Sequence, residues 1–558
     1  MKRIFLVSVA LVIAFSATSQ NTKKNIDGLF SHWEKNKPGG VVLVTHKNQL
    51  IFSKAYGLEN IPYNIPNTTE TVFNIGSLSK QFTAMGIVLL QLDGKLSFDD
   101  DIRKYLPELP DFGKTITIRN LLQHTSGLRS SPELFGLAGW RDGDAISNED
   151  VYRYLAKQTD LNFAPNSEFM YSNSGYILLA KIIETVSKQD FKNWMKEKIF
   201  QPLEMNSTFV EEDYSKIITK TASSYTEIEP VVFINVENFD LTYGASNVYS
   251  TGSDILKWSK NFNQTHEKWL KAFSILKTLD TLSNGKKNEY AFGVFVDDFF
   301  GNHRIQHTGA IAGFRSIMYT YPNDDLQIVI LLNFTSNQLF ELADQISLLF
   351  LKNKSEKVLT NTSLINPIKL DTDSLKKYEG MYWNDTENYS RKIYVKNDTL
   401  WYLRSNNKKS PLIPIAENEF QIGGINEKLV LKFENNNNRL SLITANSSIT
   451  TFEKYEDKAP TIEELKAYTG DFYSNELETF YKISLKNGKL YGYHFRYGEF
   501  EVQILKKDVL SWSGMAISKY QRNENGNILG FTITMNRIRN LWFEKNEMKK
   551  VILRTKPH

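Results

Sequence analysis

The sequence has no cysteine, and that single absence excludes a good deal of chemistry. Disulfide frameworks, thiolate zinc sites, iron–sulfur clusters, cysteine nucleophiles and a lipid-bearing cysteine anchor fall away together. An excess of one charge is lacking too. The chain sets 67 Lys and Arg against 63 Asp and Glu, and a formal +4 leaves no bulk attraction to nucleic acid or to an anionic membrane. Beyond the N-terminus no stretch approaches the roughly 18 uninterrupted apolar residues that a membrane helix needs, so no span is expected in the mature protein. His124, His266, His303 and His494 show no metal-ligand spacing and read as structural; no metal and no cofactor are expected.

What remains is ample for packed cores. The chain has 558 residues, 41% hydrophobic and 13% aromatic, which as a prior is about three to four domains. Lys2 and Arg3 precede an apolar run from Ile4 to Phe15, followed by the small residues Ala17 and Ser19. That order reads as a cleavable signal peptide over residues 1–19, and hence as an exported bacterial protein, periplasmic or secreted.

From about residue 25 to 351 helical and strand-like patterns mix, which suggests an α/β catalytic unit. Val41–Thr45 and Leu50–Tyr56 read as a hairpin around a polar turn. Leu78, Phe82, Met85, Leu89 and Leu92 follow the 4,3,4,3 spacing of a helix, and Ala84, Ile87 and Val88 make its other side apolar. Such a helix should be buried nearly all round. Further helices are expected at Ile118–His124, Tyr176–Ser187, Phe191–Ile199 and Asp254–Asn261, and strands near Tyr290–Val296, Arg304–His307, Ser316–Tyr321 and Gln327–Asn333. Residues 352–366 are polar and aperiodic, and read as a linker. Beyond it the pattern is short alternating runs, with an internal repeat. Tyr378-Glu379-Gly380 matches Tyr468-Thr469-Gly470 at an offset of 90, as do Lys392-Ile393 and Lys482-Ile483. Phe452-Glu453-Lys454 matches Phe543-Glu544-Lys545 at 91. Two copies of one β-module, over 367–455 and 461–553, follow, and small barrels or sandwiches would satisfy their edges.

Three clusters could do chemistry. In Gly76-Ser77-Leu78-Ser79-Lys80, a serine at the start of a buried helix offers an unpaired backbone N–H towards an oxyanion, and Lys80 lies one turn away on nearly the same face. An apolar setting pushes such a lysine towards its neutral form, able to take the serine proton. Tyr171-Ser172-Asn173 combines a phenol that can relay a proton with an amide that can bind substrate and lysine. His307-Thr308-Gly309 ends a strand, where Gly309 would let a substrate backbone approach and the N–H of Ala310 could supply a second oxyanion donor. Taken singly, each cluster also describes ordinary structure: an N-cap serine with a surface lysine, a turn, a strand end.

In their order and spacing the three clusters resemble the penicillin-recognising serine hydrolases, in the branch of class C β-lactamases, D,D-peptidases, D-aminopeptidases and family VIII esterases. The resemblance spans roughly residues 25–350 and includes Phe73–Phe82, Ile118–Gly127, Tyr171–Tyr176, Gly244–Asn247 with Ser250-Thr251, and Gly313-Phe314. It implies Ser77 as nucleophile, Lys80 as its activator, Tyr171 as proton relay and Asn173 as substrate-binding amide. His307, Thr308 and Gly309 would be the third, substrate-binding motif, and the N–H groups of Ser77 and Ala310 the oxyanion hole. The implied fold is a β-lactamase/transpeptidase-like domain, a five-stranded antiparallel sheet with a helical region. Two lipocalin-like β-barrel modules are found appended in this branch.

The function so implied is a metal-free serine hydrolase acting through an acyl-enzyme on amides or esters. Its substrates would be D-amino-acid peptides, cell-wall fragments or esters. A class C-like β-lactamase and a non-catalytic ligand-binding protein are the alternatives. No glutamate loop of the class A kind is present. Relatives mostly carry lysine where His307 stands; a histidine of ordinary pKa near 6.5 would gain charge, and preference for substrate carboxylates, as pH falls towards 6.

Overall fold

The computed structural model describes residues 20–546, apart from 34–35, 264–266, 355–366, 405–407, 426–428 and 445–447. The expected signal peptide, and all but the first three residues of the expected linker, lie outside the described residues. The rest forms two compact units. The first runs from the N-terminal helix to residue 354 and takes in two short segments from far along the chain, Asn475–Glu478 and Asn536–Arg539; the second holds the remainder.

The first unit is built on an antiparallel sheet of six strands, one more than the resemblance implies. In chain order these are β1 (Gly40–His46), β2 (Gln49–Tyr56), β3 (Phe295–Phe299), β4 (Asn302–Ile311), β5 (Phe314–Tyr321) and β6 (Leu326–Leu332), arranged β3-β4-β5-β6-β1-β2. The terminal segments therefore meet in the middle, with β1 pairing β6 from Gly40↔Leu332 to His46↔Leu326. Strands β1 and β6 carry the apolar runs Val41–Val44 and Ile328–Leu332, as expected of a sheet covered on both faces. On one face Val42, Val44, Ile317, Ile328 and Ile330 pack with Ile26 of helix α1 (residues 20–29) and with Leu342 and Ile346 of the C-terminal helix Leu339–Leu348. Each such side chain, fully buried, contributes about 1.5–3 kcal/mol. The expected strand at Tyr290–Val296 lies further along: Tyr290, Ala291, Phe292 and Val294 are buried in a bend at Gly293, and pairing begins at Phe295.

Against the other face stands the helical region. A one-turn 3-10 helix, Gly76–Ser79, leads into α2 (Lys80–Leu92), in which Lys80 to Val88 are all buried, so the all-round apolar pattern is realised. Helix α3 (Asn173–Ser187) packs against α2.

The second unit contains two closed eight-stranded antiparallel barrels, running from Gly380–Asn384 to Ile449–Tyr455 and from Gly470–Ser474 to Ile538–Asn546. The sequence repeat is a structural repeat: Gly380 pairs with Ile393, and Gly470 pairs with Ile483. The two ends of each motif meet. A Cβ on Gly380 would lie 2.5 Å from Lys454 Cε, and one on Gly470 2.9 Å from Lys545 Cε. Thus the closing Phe-Glu-Lys packs on the opening Tyr-x-Gly in both copies, and glycine is required where the lysine stem crosses.

Candidate active site

Ser77 occupies the 3-10 turn between the short strand Phe73–Asn74 and α2. The turn is held from two sides. Asn74 Oδ1 accepts from Gly76 N at 3.0 Å, and Ser316 Oγ of β5 donates to Ile75 O at 2.7 Å. Strand β4 presses directly on it. A Cβ on Gly309 would fall 1.9 Å from Ile75 O, and one on Gly76, whose φ is +52°, would fall 2.7 Å from Ala310 N. The group that approaches Gly309 is thus the chain's own backbone rather than a substrate's. Among the described residues no protein acceptor takes the Ser77 N–H, and the Ala310 nitrogen lies against the same turn.

Lys80 is fully buried. Its Nζ is 3.1 Å from Ser77 Oγ, 2.9 Å from Asn173 Oδ1 and 2.8 Å from the Ala245 carbonyl. Burial drives its pKa well below the usual lysine value. A neutral amine has two N–H bonds and one lone pair. Asn173 and Ala245 accept the two N–H bonds, which leaves the lone pair facing the Ser77 hydroxyl.

Tyr171 places its ring centroid 4.9 Å from Lys80 Nζ, and its buried hydroxyl stands beside Ser77. Burial pushes the phenol pKa up, so the group is a neutral donor at working pH. The run Leu122–Ser130 clamps this segment: His124 Nδ1 accepts from Ser172 N at 3.2 Å, Arg129 O from Ser174 Oγ at 2.7 Å, Leu122 O from Tyr176 at 2.7 Å and Ser130 Oγ from Asn173 N at 3.3 Å. Arg537, from the second short segment of this unit, stands 5.3 Å from the Tyr171 ring centroid, its charge matched by Glu133 at 3.3 Å.

His307 is buried, with Nε2 3.0 Å from Tyr290 Oη and Nδ1 2.6 Å from Thr308 O. Burial, with the nearby Lys80, lowers its pKa from 6.5 to about 3. This corrects one expectation: His307 does not become cationic near pH 6, because a charged imidazole would be held out of water beside the lysine. Thr308 pairs with Ile317, which faces the core formed with α1, so strand alternation turns its side chain away from His307; its carbonyl is what His307 contacts.

A family model described as Beta-lactamase matches residues 20–351. The chain belongs to the beta-lactamase family. Among curated relatives, Penicillin-binding protein 4* of Bacillus subtilis is 28% identical over 433 residues, covering 72% of this chain and 92% of the relative. Among solved structures, the octameric penicillin-binding protein homologue from Pyrococcus abyssi superposes with a TM-score of 0.53 at 21% identity, over 78% of this chain and 99% of that one. EstCE1, described as a hydrolase with promiscuous acyltransferase activity, gives 0.50 at 21%, over 60% and 99%. These superpositions show the shared fold, and the family makes the chain a serine hydrolase. Within that beta-lactamase-family site, the sequence left one contact unnamed: the Ala245 carbonyl, which accepts from Lys80. The run Gly244–Asn247 was the available signal, since its role is to bring main chain to Lys80.

Proposed function

We propose that this protein is an exported, metal-free hydrolase that cleaves amide or ester bonds of small substrates through an acyl-enzyme on Ser77. Lys80 takes the Ser77 proton as Oγ attacks the carbonyl, and the N–H groups of Ser77 and Ala310 stabilise the resulting oxyanion. The Tyr171 hydroxyl delivers a proton to the departing nitrogen or oxygen and recovers one from the Lys80 ammonium, and water then hydrolyses the ester on Ser77, with Lys80 again taking and returning the proton. Asn173 holds Lys80 and offers its amide to the substrate. Export is supported by the charged start and short apolar run of residues 2–15. The substrate class supported best is short D-amino-acid peptides, cell-wall fragments or esters; the name of the Bacillus relative keeps a penicillin-acylated, class C-like reading as the second.

One observation carries the proposal: a buried lysine amine with two fixed acceptors and its third contact on a serine oxygen. The test is intact mass after exposure to a fluorophosphonate and, separately, to a labelled penicillin. The wild type should gain one fluorophosphonate adduct, Ser77→Ala none, and Lys80→Ala should react about a thousandfold more slowly. An undiminished adduct in Ser77→Ala would refute the assignment.

A further inference from the structure

Resting on the hydrolase reading above, we infer that Asp240 is a substrate-binding residue that selects a protonated amine on the acyl part of the substrate. Asp240 lines a cleft of about 500 Å3 together with Asn173, the lysine's partner, and Ala310, the neighbour of the nucleophile turn. Four carboxylates line this cleft, from Asp142, Asp144, Glu237 and Asp240, against the single guanidinium of Arg141. Such a surface concentrates cations and repels anions.

Asp240 is fixed relative to the nucleophile by its main chain. Its carbonyl accepts from Asn247 Nδ2 at 2.5 Å, Asn247 Oδ1 accepts from Asn74 Nδ2 at 2.9 Å, and Asn74 Oδ1 accepts from Gly76 N at 3.0 Å. The loop Asp240–Asn247 is tied to α2 as well, where Gly244 O accepts from Thr83 Oγ1 at 2.8 Å and Ala245 O from Lys80. The carboxylate is therefore held in register with Ser77 rather than carried on a free loop.

Its two oxygens are used unequally. Oδ1 takes both donors of Thr242, the backbone N at 2.9 Å and the hydroxyl at 2.7 Å. Among the described residues no donor reaches Oδ2, and no Lys, Arg or His forms an ion pair with the group. Burial raises its carboxyl pKa, against the smaller opposing effects of the Thr242 hydrogen bonds and of Lys80. An ammonium on the substrate would pair with this unused oxygen of a partly buried carboxylate, where the pairing discriminates between amine-bearing and amine-free substrates.

The experiment uses the full chain and p-nitroanilides of three reaches: alanine (both hands), β-alanine and 4-aminobutyric acid, each beside the alkanoyl anilide that lacks only the amine. Fluorophosphonate labelling of Ser77 runs in parallel. In the wild type at least one amine substrate should exceed its amine-free partner in kcat/KM by about tenfold or more. Asp240→Asn keeps the oxygen that Thr242 needs and removes the charge; it should erase that preference while leaving the labelling rate and the amine-free substrate within about twofold. Labelling of Ser77 with no preference for any amine overturns the inference and leaves the hydrolase reading standing. Equal losses on both substrate types in Asp240→Asn also overturn it, because the carboxylate would then be acting through Lys80. No labelling at all overturns the hydrolase reading, and with it this inference.

Discussion

At the scale of single residues, the site is a set of neutral groups kept neutral by burial. Two of them are histidines. His307 has its pKa lowered to about 3, and His124 is pushed well below 6.5 by the same loss of solvent. In the unfolded chain both bind a proton below about 6.5; in the folded chain neither does until far lower. Folding stability is therefore fully present above pH 6.5 and declines as pH falls, by about 1.4 kcal/mol per pH unit for each histidine. Urea midpoints between pH 7 and 5 should show the wild type losing stability faster than His307→Gln, by about 2 kcal/mol at pH 5 from this residue. The kcat/KM ratio of a carboxylate-bearing substrate to its neutral ester should show no component between pH 8 and 5 that His307→Gln removes. A component near pH 6 that disappears in that variant would contradict the assigned burial. At this scale the sequence was legible where side chains meet through helical or turn spacing, as with Ser77, Lys80, Tyr171 and Asn173, which the fold brings together. It was illegible where the contact is a main-chain carbonyl, as at Ala245, or where a pKa depends on what covers the ring, as at His307.

At the scale of elements, the site exists because β4 and the turn before α2 approach more closely than any side chain allows. Gly309→Ala places a Cβ 1.9 Å from Ile75 O and 2.3 Å from Ser316 Oγ, so strand or turn must move. A displacement of about 1 Å at a catalytic constellation costs about a hundredfold in rate. The expectation is therefore a labelling rate for Gly309→Ala lower by about a hundredfold, with far-ultraviolet circular dichroism unchanged. An unchanged labelling rate would show that the seam is less tight than described. Helices were legible from apolar period, α2 above all, because a helix buried all round needs apolar residues on both sides. The start of β3 was not, since Tyr290–Val294 are as apolar as a strand and it is the positive φ of Gly293, 79°, that bends them. Why Gly309 is needed was not legible either, because the atom that fills the space belongs to a residue more than two hundred positions earlier.

At the scale of the whole molecule, the first unit is not a contiguous stretch of chain. Arg129 is fully buried, and Glu476, in one of the two distant segments of this unit, accepts from it at 2.6 Å, alongside Gln158 Oε1 at 2.8 Å. Removing one member of a buried pair strips the survivor of its nearest counter-charge, so Glu476→Ala should destabilise this unit by about 3–5 kcal/mol in urea unfolding. Replacing Arg129 and Glu476 together by Met should cost less than Glu476→Ala alone, because no lone charge then remains inside. A larger loss in the double variant would assign Arg129 a role beyond its charge. Nothing in the sequence joins these positions, whereas the offset of 90 between the two barrels was plain, because a repeat carries its pairing partners with it. That same offset has a consequence for synthesis. Two barrels with matching registers present each other's strands as interchangeable partners, and a chain released unfolded could close a hybrid barrel from halves of both copies. Emergence from the ribosome in order removes the choice, since the first barrel can close on its own lysine clasp before the competing strands exist. Refolding from denaturant meets both copies at once, and exchange of strands between them is the trap it has to escape.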